Sequence, residues 1–352
     1  MCASNPKEFP RRVFAREQTF AAVMKAKSPV PDPGPLWASM SFPFHHVLYP
    51  QGFPLLVKSN DPGVIRAAEL SWAGCSQRFR ETPIELRFLV SDSPTRRKPP
   101  NPLFRAQSNL LTIVADAHNF ASCDLVDGFG FACLTKAAVL NRDYLRQQFL
   151  EAMAYILLDT SHVVALHAAC VRKDGHGVLL AGDSGAGKSS LAYACARRGW
   201  TYVSDDGSLL VLRKPGRTII GNPQAFRFRP SVTHLFPEIH ATTKSRNGKP
   251  TMEIRTEHLA NVVTADESDI DHIIFLRRAE VDGAHLAPVS REDALRRLIQ
   301  NPWPAELLIQ EERVAAIERL LDARCHELTY KHLHPAIDLL EVMIHRGKPN
   351  ES

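Results

Sequence analysis

The run Gly182-Asp183-Ser184-Gly185-Ala186-Gly187-Lys188-Ser189 has the G-x-x-x-x-G-K-[ST] spacing of a phosphate-binding loop, and two adjacent carboxylates, Asp205 and Asp206, follow closely. Glycines at these positions let consecutive backbone N–H groups converge on phosphate oxygens, and a helix starting at the lysine turns its positive end toward the same anion. Lys188 would then reach β- and γ-phosphates, while the Ser189 hydroxyl would ligate a bridging Mg²⁺. The pattern predicts a nucleotide site built from residues 182–190, with Ser190 at its end. Two carboxylates beside it have two jobs open to them. One can hold the metal or orient the lysine, and the other can accept a proton from an attacking hydroxyl. Asp-Asp-Gly is also an ordinary turn sequence whose first aspartate caps a strand end.

These groups meet only if the right elements carry them. Val178 to Ala181 reads as a buried strand entering the loop. "SSLAYACARR" reads as the helix leaving it, with Gly199 placed to stop that helix, and "WTYVSDD" reads as a strand returning beside its predecessor, its end at the same sheet edge as the loop. "VVALHAACVRK" and "HGVLLAGDS" form a hairpin through Asp174-Gly175, which sets His167 on the strand before the loop. Residues 142–159 place Leu145, Phe149, Met153 and Ile156 at helical spacing. Downstream strands are expected at "SLLVLRK" and "HIIFLRR", and helices at "REDALRRLIQ", "PAELLIQEERVAAIERLLDARC" and "PAIDLLEVMIH". Upstream, "PLLVKS", "IELRFLVSD" and "LLTIVADAH" read as strands and "PGVIRAAELSWAGC" as a helix, with a loop over 95–102. The expected organisation is a flexible segment over 1–40, a small α/β domain over 41–140 suited to acceptor recognition, and a P-loop domain over 141–348.

The bulk composition narrows the function classes. The chain has 352 residues, 44% of them hydrophobic, enough for two cores. Its net charge of +5 is spread among 38 acidic residues, and no aromatic-basic interleaving marks a nucleic-acid track. Cys2, Cys75, Cys123, Cys133, Cys170, Cys195 and Cys325 are odd in number and lack a C-x-x-C pair, so reduced thiols are expected, not disulfides or zinc. No apolar run approaches the ~20 residues of a membrane span, and no secretory leader opens the chain. A cytoplasmic protein bound to neither nucleic acid nor membrane is expected. His45 and His46 have no partner at metal-ligand spacing.

Three pieces in order, "LHAACV" with His167, "GVLLAGDSGAGKSS" and "RRGWTYVSDD", resemble the HPr kinase/phosphorylase family and its relatives, serine kinases whose core is similar to that of phosphoenolpyruvate carboxykinase. The resemblance implies an α/β protein with an N-terminal α/β domain and a C-terminal P-loop kinase domain of that type. It implies ATP- and Mg²⁺-dependent phosphorylation of a serine on a protein or peptide acceptor, and raises a homo-oligomer. In it Asp205 is the base, Asp206 supports the metal and Lys188, and His167 stands near the reacting phosphate. Two departures are visible. Ser190 stands where the family has a glutamate, and "GNPQAFRFRPSVTHLFPE" replaces a glycine-rich segment, E-I-R-G-L-G. Arg227 and Arg229 in that replacement are candidates for a phosphate clamp, with Lys249 a further basic candidate on a loop. A regulatory module that holds or slowly hydrolyses ATP, and a small-molecule kinase, are the competing readings.

Overall fold

The computed structural model describes residues 40–92, 97–205, 207–212, 216–239, 243–246, 249–299 and 311–346. The segment expected to be flexible, up to residue 39, lies outside them, as does Asp206. The structure is mixed α/β, with three sheets.

The first sheet begins with β1 (Phe44–Leu48) and β2 (Leu55–Ser59), followed by helix α1 (Pro62–Trp72) and β3 (Ile84–Ser91). It continues through β4 (Leu103–Gln107), β5 (Leu110–Val114), β6 (Phe120–Asp124) and β7 (Phe129–Thr135), in the spatial order β1-β2-β3-β7-β6-β5-β4. Asp61 caps α1 by accepting from Gly63 N at 2.7 Å, with Pro62 in the first turn where its missing N–H costs nothing. Short helices α2 (Lys136–Leu140) and α3 (Arg142–Leu145) lead through a wide turn, Arg146–Leu150, into α4 (Glu151–Ser161). The helix expected over 142–159 therefore carries a π-type turn. The extra residue shifts the apolar stripe, so that Leu145, Phe149, Leu150, Met153 and Ala154 are all 0% exposed. Their core also takes in Val163, Val211 and Ile220 from the second sheet.

The second sheet carries the loop. Its strands are β8 (Val163–Leu166), β9 (Ala168–Lys173), β10 (His176–Ala181), then, after helix α5 (Lys188–Arg197), β11 (Thr201–Ser204), β12 (Ser208–Val211) and β13 (Thr218–Ile220). A three-stranded sheet intervenes, made of β14 (Ala225–Phe228), β15 (Thr243–Arg246) and β16 (Lys249–Arg255). The chain then returns as β17 (Val263–Thr264), β18 (Glu267–Arg278) and β19 (Ala284–Pro288), helices α6 (Arg291–Ile299) and α7 (Glu311–Leu320), β20 (Arg324–Tyr330) and α8 (Leu333–Arg346). The strand order is β17-β11-β9-β10-β18-β13-β12-β8, with β20 paired to both β18 and β19. Alternation sorts the side chains. Val178, Leu180, Tyr202, Ile274 and Leu328 share a core with α5 and α8, whereas Leu179, Ala181, Val203, Ile273 and Phe275 share one with α6 and α7.

Four expectations need correction. The run "VVALHAACVRK" is two strands that break at His167: β8 pairs with β12, and β9 pairs with β10 and β11. The strand bearing the aspartates does not lie beside β10, because β9 stands between them. Since β9 is antiparallel to both, β11 still runs parallel to β10 and delivers Asp205 to the loop's edge. The helix expected to reach Cys325 ends at Leu320, and Arg324–Tyr330 joins β18 as a parallel strand, sheet pairing overriding local helical preference. Lys249, expected on a loop, begins strand β16, and its side chain lies outside the described set.

Two details of the sheet make predictions. Gly221, just after β13, packs against the strand end that precedes Asp205: a Cβ there would stand 2.1 Å from Val203 O and 2.6 Å from Ser204 Cβ. Gly221→Ala must displace backbone, and is expected to cost about 1–3 kcal/mol in thermal or urea unfolding; wild-type stability in that variant would refute the packing. His272 is 3% exposed, and burial, then Arg324, holds its imidazole down from 6.5 to about 4. Between those values the unfolded chain binds the extra proton, so stability rises with pH across that window. Melting curves of wild type and His272→Gln should differ in slope between pH 4 and 6.5 and run parallel above pH 7.

Candidate active site

Strand β10 ends buried at Ala181, and the loop that follows needs left-handed backbone at Gly182 (φ +146°), Gly185 (φ +95°) and Gly187 (φ +100°). Those three positions explain the glycine spacing in the sequence, because side chains are strained at such φ values. Asp183, Ser184 and Gly185 form the exposed crest, and Ala186 N donates back to Asp183 O at 3.0 Å. Helix α5 opens on Lys188, with Ser189 and half-buried Ser190 in its first turn.

Lys188 is only 5% exposed. Its Nζ donates to Gly182 O at 2.6 Å and to Asp183 O at 3.2 Å, and lies 2.9 Å from His167 Nε2. For the ammonium to donate to the histidine, Nε2 must present its lone pair, which puts the imidazole proton on Nδ1. His167 occupies the break between β8 and β9, where the chain leaves one set of strand partners for another. The break aims its ring at the loop's lysine.

Ser189 Oγ donates to Asp205 Oδ1 at 2.6 Å, and Asp205 Oδ2 accepts from Arg227 N at 2.9 Å. Asp205 is 7% exposed and lies just past the end of β11. A buried serine pair fixes that turn: Ser204 Oγ and Ser208 Oγ are 2.6 Å apart, and Ser208 Oγ donates to Ala168 O at 2.9 Å, one residue from His167. Burial and the nearby Asp205 carboxylate both push the Tyr202 phenol upward, so that group stays protonated beneath the site.

The two clamp arginines part company. Arg229 Nη2 donates to Ser184 Oγ at 2.9 Å, so the guanidinium rests on the loop's crest. Arg227 contributes its backbone N–H to Asp205, while its side chain pairs with Glu253 at 2.9 Å. His167, Lys188, Ser189, Asp205 and Arg229 are thus brought together. His45 and His46 lie on the first sheet, where His46 Nδ1 pairs with Glu69 at 2.9 Å, and among the described residues no cluster of His, Cys, Asp or Glu could hold a metal by itself.

Two further groups that sequence reasoning missed stand against the loop. Tyr330, at the end of β20, donates from Oη to Ala186 O at 2.9 Å. Arg278, at the end of β18, lays its guanidinium over the Tyr330 ring, 5.6 Å from the centroid. A Cβ on Gly187 would meet Tyr330 Oη at 2.5 Å and Arg278 Nε at 3.3 Å, a second reason for glycine there. The signal that could have found them is topological: β18 and β20 end at the same edge as β10, which needs the strand order.

Among the described residues no helix is long and apolar enough to cross a membrane. No protein-family model matches the chain. A provisionally named HPr kinase/phosphorylase 2 of Oceanobacillus iheyensis is 30% identical over 139 residues, covering 37% of this chain and 38% of that protein. The HPr kinase/phosphorylase of Limosilactobacillus reuteri is 34% identical over 94 residues, covering 26% of this chain and 29% of its own. The chain therefore matches less than two fifths of the length of these curated relatives. A solved HPr(Ser) kinase/phosphatase from Coxiella burnetii aligns over 52% of this chain and 95% of that one, with 18% identity and a TM-score of 0.28. On these sequence matches, with the histidine, loop and aspartates in that order, the chain is similar to HPr kinase/phosphorylases over a part of its length that includes the loop.

Proposed function

We propose that this chain transfers the γ-phosphoryl group of ATP, in the presence of Mg²⁺, to a serine hydroxyl of a protein or peptide. One observation carries the reading: the Asp205 carboxylate sits 2.6 Å from Ser189 Oγ, at the first turn of the helix that leaves the loop. The Ser189 hydroxyl, at the first turn of the helix leaving the loop, is a hard oxygen ligand of the kind Mg²⁺ takes, so it fits that ion. When bound, it neutralises charge on the phosphate oxygens. Asp206 keeps its proposed part in holding the metal on its sequence position alone.

The remaining roles follow from partners that can and cannot move. Lys188 exchanges the loop carbonyls for phosphate oxygens, and His167 stays at its side. Asp205 Oδ2 is held by a backbone N–H, which cannot rotate away, whereas Oδ1 is held by a hydroxyl, which can. Oδ1 is therefore the atom proposed to take the acceptor's proton as its oxygen attacks phosphorus and ADP departs. Phosphoryl transfer asks mainly for positioning and electrostatic support, and a fixed carboxylate beside a cationic loop supplies both.

The curated relatives carry the name of HPr, which makes it the first acceptor to try. The first sheet is proposed as the part that recognises the acceptor, and residues 141–348 as the catalytic part. Free thiols at Cys75, Cys133 and Cys325, none fully buried, fit a reducing cytoplasm.

The test uses labelled ATP and Mg²⁺ with HPr and with lysate, labelled products being identified by mass spectrometry. Asp205→Asn should lower transfer by roughly 10²–10⁴-fold while keeping nucleotide affinity, the range expected for a general base. Transfer undiminished in Asp205→Asn, or ATP bound by wild type with no hydroxyl labelled, would favour a nucleotide-binding module instead.

A further inference from the structure

We infer that Arg278 is a phosphate-binding arm of this site, positioned by Tyr330 and selecting for polyphosphate. The inference rests on the reading of the loop as a nucleotide site and adds a group to it. Arg278 is exposed, and among the described residues no carboxylate lies within ion-pair distance of it. Its neighbours are neutralised: Arg277 pairs with Glu327 at 3.6 Å, and Lys331 pairs with Glu280 at 2.6 Å. An uncompensated guanidinium at the loop's edge is a standing attraction for an anion.

Its placement is also built. Tyr330 is fully buried, with its hydroxyl tied to Ala186 O inside the loop, and the Arg278 guanidinium lies over its ring in cation–π contact. That contact limits where the guanidinium can swing, so less freedom is lost when an oxyanion arrives. The space a Cβ at Gly187 would fill is bounded by the phenol and by Arg278 Nε, directly beside the residue that precedes Lys188. Arg229 meets the loop nearer its start, at Ser184. Cations thus stand toward both ends of the loop, an arrangement that fits a chain of phosphates better than a single one. A monophosphate can engage the loop alone, whereas a triphosphate is long enough to gain from Arg278.

The test is titration of the full chain with Mg·ATP, tripolyphosphate and AMP by calorimetry. Arg278→Ala should weaken Mg·ATP and tripolyphosphate about tenfold, the value of one charge-assisted hydrogen bond, and change AMP less than twofold. Arg277→Ala should bind like wild type. Tyr330→Phe keeps the ring, so adding Arg278→Ala to it should still cost about tenfold, whereas in Tyr330→Leu, which lacks the ring, adding Arg278→Ala should cost less, a non-additivity that a merely structural tyrosine would not give. If Arg278→Ala melts early, Arg278→Gln, which retains most of the side-chain volume, takes its place. Equal ATP affinity in wild type and in both Arg278 variants overturns the inference while leaving the loop's function standing. A wild-type protein that binds neither ATP nor tripolyphosphate removes the nucleotide reading, and the inference goes with it.

Discussion

The Asp205 carboxylate joins three separately folded pieces. One oxygen accepts from Ser189 on the helix leaving the loop, and the other from the backbone of Arg227 on the three-stranded sheet, while the residue itself follows directly on β11. A carboxylate that is 7% exposed must have its lone pairs occupied, so its burial and its two donors are one requirement. If any of the three pieces moved, a buried charge would lose a partner. The packing beneath them works in the same direction. Tyr193 on α5 meets Phe226, Phe228 and Phe236 edge-on, with centroids 5.2, 5.5 and 4.8 Å away, which ties the loop's helix to the sheet that supplies the Arg227 amide.

The sheet order explains why a hairpin sits between the two halves of the site. Inserting antiparallel β9 between β10 and β11 keeps the ends of β10 and β11 on one edge. It also places the break at His167 on that edge, because β9 starts where β10 finishes: Ala168 pairs with Ala181. A simple parallel crossover would have put the aspartates beside the loop without any histidine between them. The buried serine pair serves the same geometry, since Ser208 reaches Ala168 O and so fixes the aspartate turn relative to the histidine. Both serines are 0% exposed, where an unmade hydrogen bond is costly.

What could be read from the chain alone follows from how local each constraint is. The loop, its entry strand and its exit helix were legible because each residue type answers to backbone geometry within a few positions. Gly182, Gly185 and Gly187 have the φ values that their spacing demands. The hairpin before the loop was legible for the same reason, with Asp174 (φ +49°) and Gly175 (φ +88°) forming its turn. Strand β20 was not, because "RCHELTY" has a burial pattern set by its neighbours β18 and β19 and no clean alternation of its own. Tyr330 and Arg278 were hidden with it: a residue joins a sheet edge through strand order, and strand order is a property of distant pairings. Gly221 looks like any loop glycine until Val203 O is found where its Cβ would be.

The loop lysine is held by two loop carbonyls and a histidine. Its ammonium is therefore fixed in the cradle, and the proposed binding of a phosphate would exchange its partners instead of ordering a free side chain. An exchange of this kind costs little reorganisation, and it leaves two carbonyl oxygens that the backbone must turn away from the anion. The positive-φ glycines are the residues able to make that turn, Gly182 carrying one of the carbonyls itself. On the proposed reading, glycine at these positions serves the loop a second time, because backbone free of a Cβ lets those carbonyls yield to an anion.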